Sequence, residues 1–514
     1  MNGAESLVRT LVGGGVNVCF TNPGTSEMHF VAALDKVAGM RCVLGLFEGV
    51  VTGAADGYAR MTDAPAATLL HLGPGLGNGL ANLHNARRAY TPVVNIVGDH
   101  ATYHHAYDAP LTADIEGIAR PVSHWVRTSP DAASVANDGA EAIAAARTPP
   151  GGVATLILPA NTAWDEADGA AAIPPIPPRA TVAAEAVAAA AAALRSGASC
   201  ALLMTGTALR EAGLDLAGRI AAKTGARLLA QTSNARIERG AGRVAVERIP
   251  YPVDQALETL AGLRHLVLVG AKAPVAFFAY PGKPSRLTPE DCEIHSLARI
   301  EEDAVGALEA LADELDAIKE TPPVEALRRP DRPNGALSVE SVAAAIGALL
   351  PENAIVVDEG ISCGRAVTPL TKGAPPHDWL QITGGSIGIG IPLAVGAAVA
   401  CPERKVVGLQ ADGSAMYTVQ GLWTQAREGL DVTTVVFANR AYASLKLELA
   451  KVGAANPGRK ALDMLDLDRP DLDFVALAKG MGIEACRAAT ADEFSARFAA
   501  GLASEGPSLI EVAF

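Results

Sequence analysis

The sequence predicts an α/β protein with three doubly wound domains, each built on a parallel β-sheet that helices cover on both faces. Short runs rich in β-branched residues alternate along the whole chain with alanine-rich helical segments such as AAEAVAAAAAAL (183–194). Continuous apolar strands separated by helices are typical of parallel sheets buried on both faces. The clearest strands are VVNIVG (93–98), ATLILP (154–159), HLVLVG (265–270), AIVVDEG (354–360), KVVGLQ (405–410) and TTVVFAN (433–439).

Two proline-rich stretches divide the chain into three blocks of ordinary domain size. They are IPPIPPRA (173–180) and TPPVEALRRPDRPNG (321–335). Proline removes a backbone donor and stiffens the chain, so such stretches usually lie between domains. A chain of 514 residues is also too long for one hydrophobic core. We therefore expect domains over residues 1–172, 181–320 and 336–514.

Composition places the chain among packed globular proteins. Hydrophobic residues make up 49% and charged residues 19%, which excludes a largely disordered chain. The formal net charge of −14 argues against a nucleic-acid partner, since phosphate binding requires clustered Lys and Arg. The seven cysteines are scattered without a C-x-x-C pair, so neither a disulfide framework nor a zinc site is expected from them. Reduced thiols and an N-terminus without a signal-peptide core favour a cytoplasmic protein.

One uncharged run, ITGGSIGIGIPLAVGAAVAC (382–401), has the length of a membrane-spanning helix. Its first half is rich in glycine, and Pro392 interrupts it. A glycine-rich loop that leads into a buried helix explains this pattern better. We therefore expect no membrane association.

The segment from 406 to 445 predicts a ligand site at the end of a sheet. It predicts a first strand ending at 411, a turn at 412–414, a helix from about 417 to 428 and a second strand ending at 439. Asp412 and Asn439 then follow two parallel strands, where open α/β sheets bind their ligands. A carboxylate, an amide oxygen and a nearby carbonyl are hard ligands that suit Mg²⁺, and helical N–H groups after Gly413 favour a diphosphate.

Taken alone, these residues allow a simpler interpretation, in which Asp412 caps a helix and Asn439 opens a turn. The same holds for Glu48, which lies between Leu46-Phe47 and Val50-Val51 near the N-terminus. In isolation it is a buried residue that starts a helix. In apolar surroundings a carboxylic acid can also share a proton at neutral pH.

Two motifs decide between these interpretations. The segment that begins ADGS at 411 and ends in Asn439 resembles the thiamine-diphosphate motif, which begins G-D-G and ends in asparagine about thirty residues later. The segment EGVVTGAADGYAR (48–60) resembles the glutamate motif of the same enzymes. The resemblance implies that Asp412, Asn439 and the carbonyl of Ala441 bind Mg²⁺. One departure is Ala411 in place of the first glycine, which adds only a Cβ atom.

The same resemblance assigns the remaining cofactor contacts. Glu48 would share a proton with the aminopyrimidine ring, so that the cofactor can lose its C2 proton and supply the nucleophile and electron sink. In the loop GGSIGIGIP (384–392), Ile387 would bend the cofactor, and the carbonyl of Gly385 would accept a hydrogen bond from its 4′-amino group. A generic glycine-rich loop remains the alternative for this segment. Further cofactor contacts are expected from Gly413, Ser414 and Tyr442.

Within this family the chain most resembles benzoylformate decarboxylase, and more weakly the acetolactate synthase large subunits. TNPGTSEMHF (21–30) and LHLGPGLGNG (70–79) place Thr25 and His71 on the decarboxylase's substrate-binding serine and catalytic histidine. A satisfied core histidine is the alternative for His71. Phe278 stands where the resemblance, by a loose alignment, places a second catalytic histidine. Ser444 and Leu445 resemble positions that line the acyl pocket.

These assignments predict an enzyme that makes or breaks carbon–carbon bonds of small 2-oxo acids or aldehydes. The resemblance implies an enamine (Breslow-type) intermediate, and loss of a proton donor at Phe278 favours carboligation to 2-hydroxy ketones. A simple 2-oxo-acid decarboxylase, an acetolactate synthase-like enzyme, a flavin or nicotinamide oxidoreductase and a silent paralogue remain alternatives. The central segment lacks G-x-G-x-x-G, which disfavours FAD. The resemblance also implies a homo-oligomer, a dimer of dimers with the cofactor between subunits.

Overall fold

Three separate sheets form the frame of the computed structural model, which describes residues 1–454 and 456–514. They contain six, five and seven strands. All strand pairs are parallel except one at the edge of the third sheet. The predicted α/β architecture with three parallel sheets is confirmed. Among the described residues, no helix combines the length and apolar character needed to cross a membrane.

The first sheet has the strand order β2-β1-β3-β4-β6-β5. Its strands are β1 Val18–Thr21, β2 Arg41–Leu44, β3 Ala66–Leu70, β4 Val93–Asp99, β5 Trp125–Thr128 and β6 Val153–Pro159. Its helices are α1 Gly3–Gly13, α2 Met28–Lys36, α3 Glu48–Thr62, α4 Leu72–Ala89, α5 Ile115–Ala119, α6 Val135–Arg147 and α7 Ala160–Trp164, with 3₁₀ turns at Thr25–Glu27 and His105–Tyr107. Alternate residues of β3 face two different apolar clusters, as expected for a sheet covered on both sides.

The second sheet has the order β10-β8-β7-β11-β12. Its strands are β7 Cys200–Met204, β8 Arg227–Ala230, β10 Glu247–Arg248, β11 His265–Val269 and β12 Glu293–Ala298. The helices α8 Ala184–Arg195, α9 Glu211–Thr224, α10 Val253–Leu260 and α11 Ala304–Glu314 accompany it, with a 3₁₀ turn at Gly206–Leu209. The proline-rich stretches 173–180 and 321–335 contain no helix or extended strand and flank this part of the chain.

The third sheet has the order β17-β18-β16-β15-β13-β14-β9. Its strands are β9 Ile237–Arg239, β13 Ile355–Glu359, β14 His377–Gln381, β15 Val406–Ala411, β16 Val432–Ala438, β17 Glu484–Ala488 and β18 Ser508–Ala513. Its helices are α12 Val339–Leu349, α13 Val367–Leu370, α14 Gly390–Ala400, α15 Asp412–Ala415, α16 Gly421–Glu428, α17 Ala443–Lys451, α18 Arg459–Asp463, α19 Phe474–Gly480 and α20 Ala491–Ala503, with a 3₁₀ turn at Cys363–Ala366.

A short strand from the middle of the chain completes the third sheet. β9 pairs antiparallel with β14, with Ile237 opposite Trp379 and Arg239 opposite His377. The guanidinium of Arg239 lies 4.8 Å from the ring centroid of Trp379, a cation–π contact. The central segment is therefore joined to the third sheet by main-chain pairing.

The helix predicted over 417–428 begins later than expected. Residues 412–415 form the short helix α15, and α16 begins only at Gly421. Between them the backbone makes i to i−3 hydrogen bonds. The side chain of Thr418 donates to the carbonyl of Gly388 at 2.8 Å, which ties this turn to the glycine-rich loop and interrupts the helix.

Helix α14 is the buried helix that the run 382–401 predicted, and it packs directly on α3. All its residues except the last are buried. A Cβ atom on Gly57 of α3 would lie 2.2 Å from the carbonyl oxygen of Leu393, and one on Gly396 would lie 1.9 Å from that of Ala54. The two helix backbones therefore touch at glycines, which locks the first sheet against the third.

The side chain of Arg60 fixes the junction of all three parts of the chain. It is buried and forms a two-point ion pair with Asp56 at 2.6 and 2.8 Å. It also donates to the carbonyls of Gln381 in the third sheet (2.6 Å) and of Ala235 in the central segment (3.2 Å). The last residues of the glutamate motif thus have a structural role.

We predict that Gly396→Ala lowers the stability of the protein, because its methyl group would overlap the Ala54 carbonyl in a contact made of backbone. Overpacking of this kind typically costs about 1–3 kcal/mol. The apparent urea midpoint, followed by circular dichroism, measures it. Gly13→Ala is the matched control, since a Cβ atom on that helical glycine meets nothing within 4 Å. Equal midpoints for both variants would contradict the close helix contact.

Candidate active site

Asp412 and Asn439 lie side by side at the carboxyl ends of β15 and β16, as predicted. The two strands are neighbours, with Ala411 opposite Phe437. The Asp412 Oδ2 atom accepts the backbone N–H of Arg440 at 2.6 Å. Arg440 has φ of 58°, a left-handed conformation that is uncommon outside glycine and that marks functional turns. The turn after β16 is therefore held against the carboxylate.

The donor set at this turn fits a hard divalent cation. Asp412 is 2% exposed, and burial raises the pKa of its carboxyl, while backbone N–H groups that hydrogen-bond it act in the opposite direction. Within the described part of the chain, no lysine or arginine side chain forms an ion pair with it. A buried carboxylate without a counter-charge is unfavourable. The amide oxygen of Asn439 and the carbonyl of Ala441 lie on the same turn, so Mg²⁺ fits this set.

Three residues of the predicted diphosphate turn, Ala411, Gly413 and Ser414, differ from one another in their surroundings. Ala411 has φ of −77°, so alanine replaces the first motif glycine without strain. Gly413 has the ring of Tyr442 directly against it, because a Cβ atom there would lie 2.4 Å from that ring. The Ser414 hydroxyl donates to the carbonyl of Ala411 at 3.1 Å and accepts from Gln410 at 2.8 Å. The Ser414 side chain therefore belongs to the network behind the turn.

The glycine-rich loop before α14 is held by two asparagines of α4. Gly385 and Gly388 have φ of 78° and 94°, which favour glycine. Asn85 hydrogen-bonds the residues on both sides of Gly385, and Asn82 donates to the carbonyl of Gly388 at 3.3 Å. Among the described residues, the carbonyl of Gly385 accepts no hydrogen bond, which leaves it available as the predicted acceptor. Ile387 is half-buried beside it.

Glu359 supports the base of this loop, and the sequence analysis missed it. Its carboxylate accepts the backbone N–H groups of Gly388, Ile389 and Gly390 at 2.7–3.1 Å, and the amide of Gln410 at 2.9 Å. Burial raises the pKa of this carboxyl, and these hydrogen bonds lower it. A signal was present, because an acidic residue directly follows an apolar strand in AIVVDEG.

Glu48 is the first residue of α3 and is 6% exposed. Its Oε2 atom accepts the side-chain N–H of Asn78 at 2.9 Å. Gly75 lies beneath the other oxygen, since a Cβ atom on Gly75 would be 3.2 Å from Oε1. In the described part of the chain no donor bonds Oε1. One carboxylate oxygen is therefore fixed by α4, and the other is available for the proton exchange predicted for this residue.

His71 precedes α4 and pairs with a glutamate that the sequence analysis missed. Its Nδ1 atom lies 2.8 Å from Oε2 of Glu27, which also accepts the N–H of Gly24. Burial raises the pKa of the Glu27 carboxyl, and the His71 contact lowers it. Leu72, next to His71, has φ of 47°, a strained value for a leucine. With Nδ1 facing the carboxylate, Nε2 is the nitrogen free to exchange protons.

Thr25 opens onto a cavity that the sequence analysis also missed. The cavity has a volume of about 290 Å³ and is lined by Thr25, Asp99, His100, His104 and Leu111, among others. The Asp99 carboxyl is largely buried, which raises its pKa. The run GDHATYHHAYD (98–108), with three histidines within six residues, was the available signal. These groups give the Thr25 side of the site several proton donors and acceptors.

The remaining predicted pocket residues lie on the other side of the site. The ring of Phe277 lies directly against Gly385, since a Cβ atom there would be 2.6 Å from it. Phe278 packs edge to face on Phe277 with centroids 4.9 Å apart and is 54% exposed. Ser444 and Leu445 lie in the first turn of α17, and Leu445 is exposed. Phe277, the neighbour of Phe278, is therefore the residue that touches the glycine-rich loop.

Two models of known protein families match this chain, one near each end. The N-terminal TPP binding domain of thiamine pyrophosphate enzymes matches residues 1–118, and the C-terminal TPP binding domain matches residues 362–512. The first contains the glutamate motif, and the second contains the Asp412–Asn439 turn and the glycine-rich loop.

Full-length relatives give the same result. The chain is 57% identical over 513 residues to the "Putative acetolactate synthase large subunit IlvX" of Mycobacterium tuberculosis, covering 100% of this chain and 99% of the relative. It is 30% identical to benzoylformate decarboxylase of Pseudomonas aeruginosa, over 97% and 96% of the two chains. The solved 4-hydroxybenzoylformate decarboxylase of Rhodococcus jostii RHA1 superposes with a TM-score of 0.87 at 25% identity, over 100% and 99%. The chain therefore belongs to the thiamine pyrophosphate enzymes, among the thiamine-diphosphate-dependent decarboxylases and acetolactate synthase-like enzymes.

Proposed function

We propose that this enzyme couples the acyl unit of a small 2-oxo acid, or an aldehyde, to a second carbonyl compound and forms a 2-hydroxy ketone. A 2-oxo acid would lose CO₂, and its acyl carbon would bond to the carbonyl carbon of the acceptor. The observation that carries the proposal is the apolar pair Phe277–Phe278 beside Gly385. The resemblance to benzoylformate decarboxylase implies a catalytic histidine at the position of Phe278.

Thiamine diphosphate, when bound, supplies the carbon nucleophile and the electron sink for this chemistry. Mg²⁺ would be held by Asp412, Asn439 and the carbonyl of Ala441, and Gly413 and Tyr442 would border the diphosphate. The buried, unpaired charge of Asp412 supports this assignment. Glu48 would hold and return a proton at Oε1, while Asn78 keeps Oε2 in place.

The fate of the acyl carbon depends on which groups can protonate it. Protonation releases a free aldehyde, whereas attack on a second carbonyl gives the hydroxy ketone. Phenyl rings at 277–278 supply no proton and offer an apolar surface to an uncharged acceptor. Slower protonation leaves more time for the second carbonyl to react.

A simple decarboxylase is the second candidate, and the His71–Glu27 pair favours it. The pair is 2.8 Å apart, and Nε2 of His71 is free to deliver a proton. Thr25, at the nearby cavity, would bind the substrate carboxylate or carbonyl through its hydroxyl. The two candidate functions use the same cofactor contacts. They differ in whether the Phe277–Phe278 pair or the His71–Glu27 pair determines the fate of the acyl carbon.

We further propose a homo-oligomer, a dimer of dimers, in which two chains share each cofactor. Glu48 contacts α4 of the first domain, and Asp412 contacts its own turn in the third domain. Large apolar side chains are exposed beside both groups: Leu46 close to Glu48 in the chain, Tyr103 at the cavity of Thr25, and Tyr417 beside Tyr442. Exposed apolar patches of this kind mark interfaces.

The free state of all seven cysteines supports a cytoplasmic location.

We predict that Asp412→Ala weakens thiamine diphosphate binding strongly and removes its dependence on Mg²⁺, because the cation loses its charged ligand. Titration calorimetry with and without a chelator measures both effects. Asp412→Asn keeps an oxygen ligand without the charge and should give an intermediate affinity. Wild-type affinity in Asp412→Ala would exclude this metal site.

We predict that Glu48→Gln binds Mg²⁺ and folds normally but exchanges the C2 proton of bound thiamine diphosphate far more slowly. Glutamine keeps the hydrogen bond from Asn78 but cannot hold a proton at Oε1. Hydrogen–deuterium exchange at C2, followed by NMR after acid quench, reports this step. Exchange as fast as in the wild type would contradict the role of Glu48.

The same variant tests the shared site. Glu48→Gln and Asp412→Ala subunits should each be inactive, but mixed dimers would contain one site with both motifs intact. Activity should therefore recover partly after subunit exchange. Proven exchange without recovery would place both motifs of a site in one chain.

We predict that Phe278→His shifts the product ratio from hydroxy ketone towards free aldehyde. A positioned acid typically speeds proton transfer by about 10²–10⁴-fold, which is enough to change this partition. Product analysis with pyruvate, benzoylformate and simple aldehydes measures it, and Phe278→Leu is the apolar control. If the wild type only releases aldehyde and never couples two carbonyl compounds, simple decarboxylation is the function.

A further inference from the structure

Two histidines and a glutamate form a cluster on β11 and β12, the last two strands of the second sheet. His265 lies directly opposite Glu293, and Val267 lies opposite His295. Residues two apart on a strand face the same side of a sheet, and paired residues share that side. The strand register therefore places all three side chains on one face. This cluster is separate from every residue of the thiamine site.

The spacing of the three donor atoms suits one small cation. His265 Nδ1 and His295 Nε2 are 3.2 Å apart, and Glu293 Oε2 lies 3.6 Å from the first and 3.8 Å from the second. Zinc–nitrogen and zinc–oxygen bonds of about 2.0–2.2 Å in a tetrahedron put neighbouring ligand atoms about 3.3–3.6 Å apart. Small side-chain rotations would bring the three donor atoms from their observed positions to the positions that they need around a bound ion.

The surroundings also favour coordination. The side chains of His265 and His295 are 17% and 19% exposed, so the fold already orients them, while that of Glu293 is 72% exposed at the open side. Among the described residues, no lysine or arginine pairs with Glu293.

We propose that His265 Nδ1, His295 Nε2 and the Glu293 carboxylate bind one divalent transition-metal ion of the Zn²⁺ type, with water at the fourth position. Two imidazoles select borderline ions, whereas the all-oxygen set at Asp412 selects Mg²⁺. The ion would tie the edge strand β12 to β11 and so stabilise the second sheet. The cysteine spacing gave no sign of this site because its ligands are histidines.

The test uses full-length protein without a histidine tag, stripped of metal by a chelator and returned to Mg²⁺. Competition with a chromophoric chelator should detect one tight Zn²⁺ equivalent per chain. His265→Ala/His295→Ala should lose that equivalent, and Glu293→Gln should bind at least tenfold more weakly. His100→Ala/His104→Ala is the matched control, since it removes two of the three histidines at 100–105 and should keep the tight equivalent.

Two further measurements keep the outcome decisive. Metal-free variants should have the circular dichroism spectrum and melting temperature of the metal-free wild type, whereas Zn²⁺ should raise the melting temperature of the wild type only. Co²⁺ should give visible d–d bands without a thiolate charge-transfer band, because no cysteine is a ligand. Absence of a tight equivalent in the wild type, or its retention in His265→Ala/His295→Ala, would overturn the proposal.

Discussion

The buried ion pair between Arg60 and Asp56 is the contact on which the arrangement of the site depends. It lies in the C-terminal half of the helix that Glu48 begins, and Arg60 is twelve residues, or about 18 Å, from Glu48. Because the guanidinium also binds carbonyls from the central segment and the third sheet, this end of α3 cannot move relative to either. Removal of one partner of such a buried pair costs about 3–5 kcal/mol. The helix that carries Glu48 is therefore anchored near the end opposite to this carboxylate.

Four buried carboxylates around the site have different tasks because they have different partners. Among the described residues, Asp412 accepts hydrogen bonds from backbone N–H groups alone, whereas Glu359 is satisfied by four donors and holds a loop in place. Glu48 has one oxygen fixed and one available. Glu27 shares its charge with an imidazole. Burial raises the pKa of Asp412, Glu359 and Glu27, and the hydrogen bonds that each carboxyl accepts act in the opposite direction.

The sequence alone predicted two kinds of feature: the repeated strands and helices, and polar residues that directly follow strands. Apolar runs predicted the parallel sheets, and Asp412 and Asn439 were correctly placed side by side because both follow neighbouring strands. The glutamate motif identified Glu48 but not its partner Asn78, since that contact depends on how α4 packs against α3. Glu27 and Glu359 were missed because their roles arise from contacts with residues distant in the chain. The helix start at Gly421 was missed for the same reason, as Thr418 bonds a loop thirty residues earlier.

The strand β9 limits how freely the parts of this enzyme can be exchanged between relatives. It belongs to the middle of the chain by sequence but to the third sheet by hydrogen bonding, and Arg239 covers Trp379 there. A chimaera that replaced residues 181–320 as a block would bring a foreign edge strand against β14. Unless the new segment matched both the register and the cation over the indole, the third sheet would keep an open edge prone to aggregation. Recombination within this fold is therefore expected to succeed only when β9 and β14 come from the same parent.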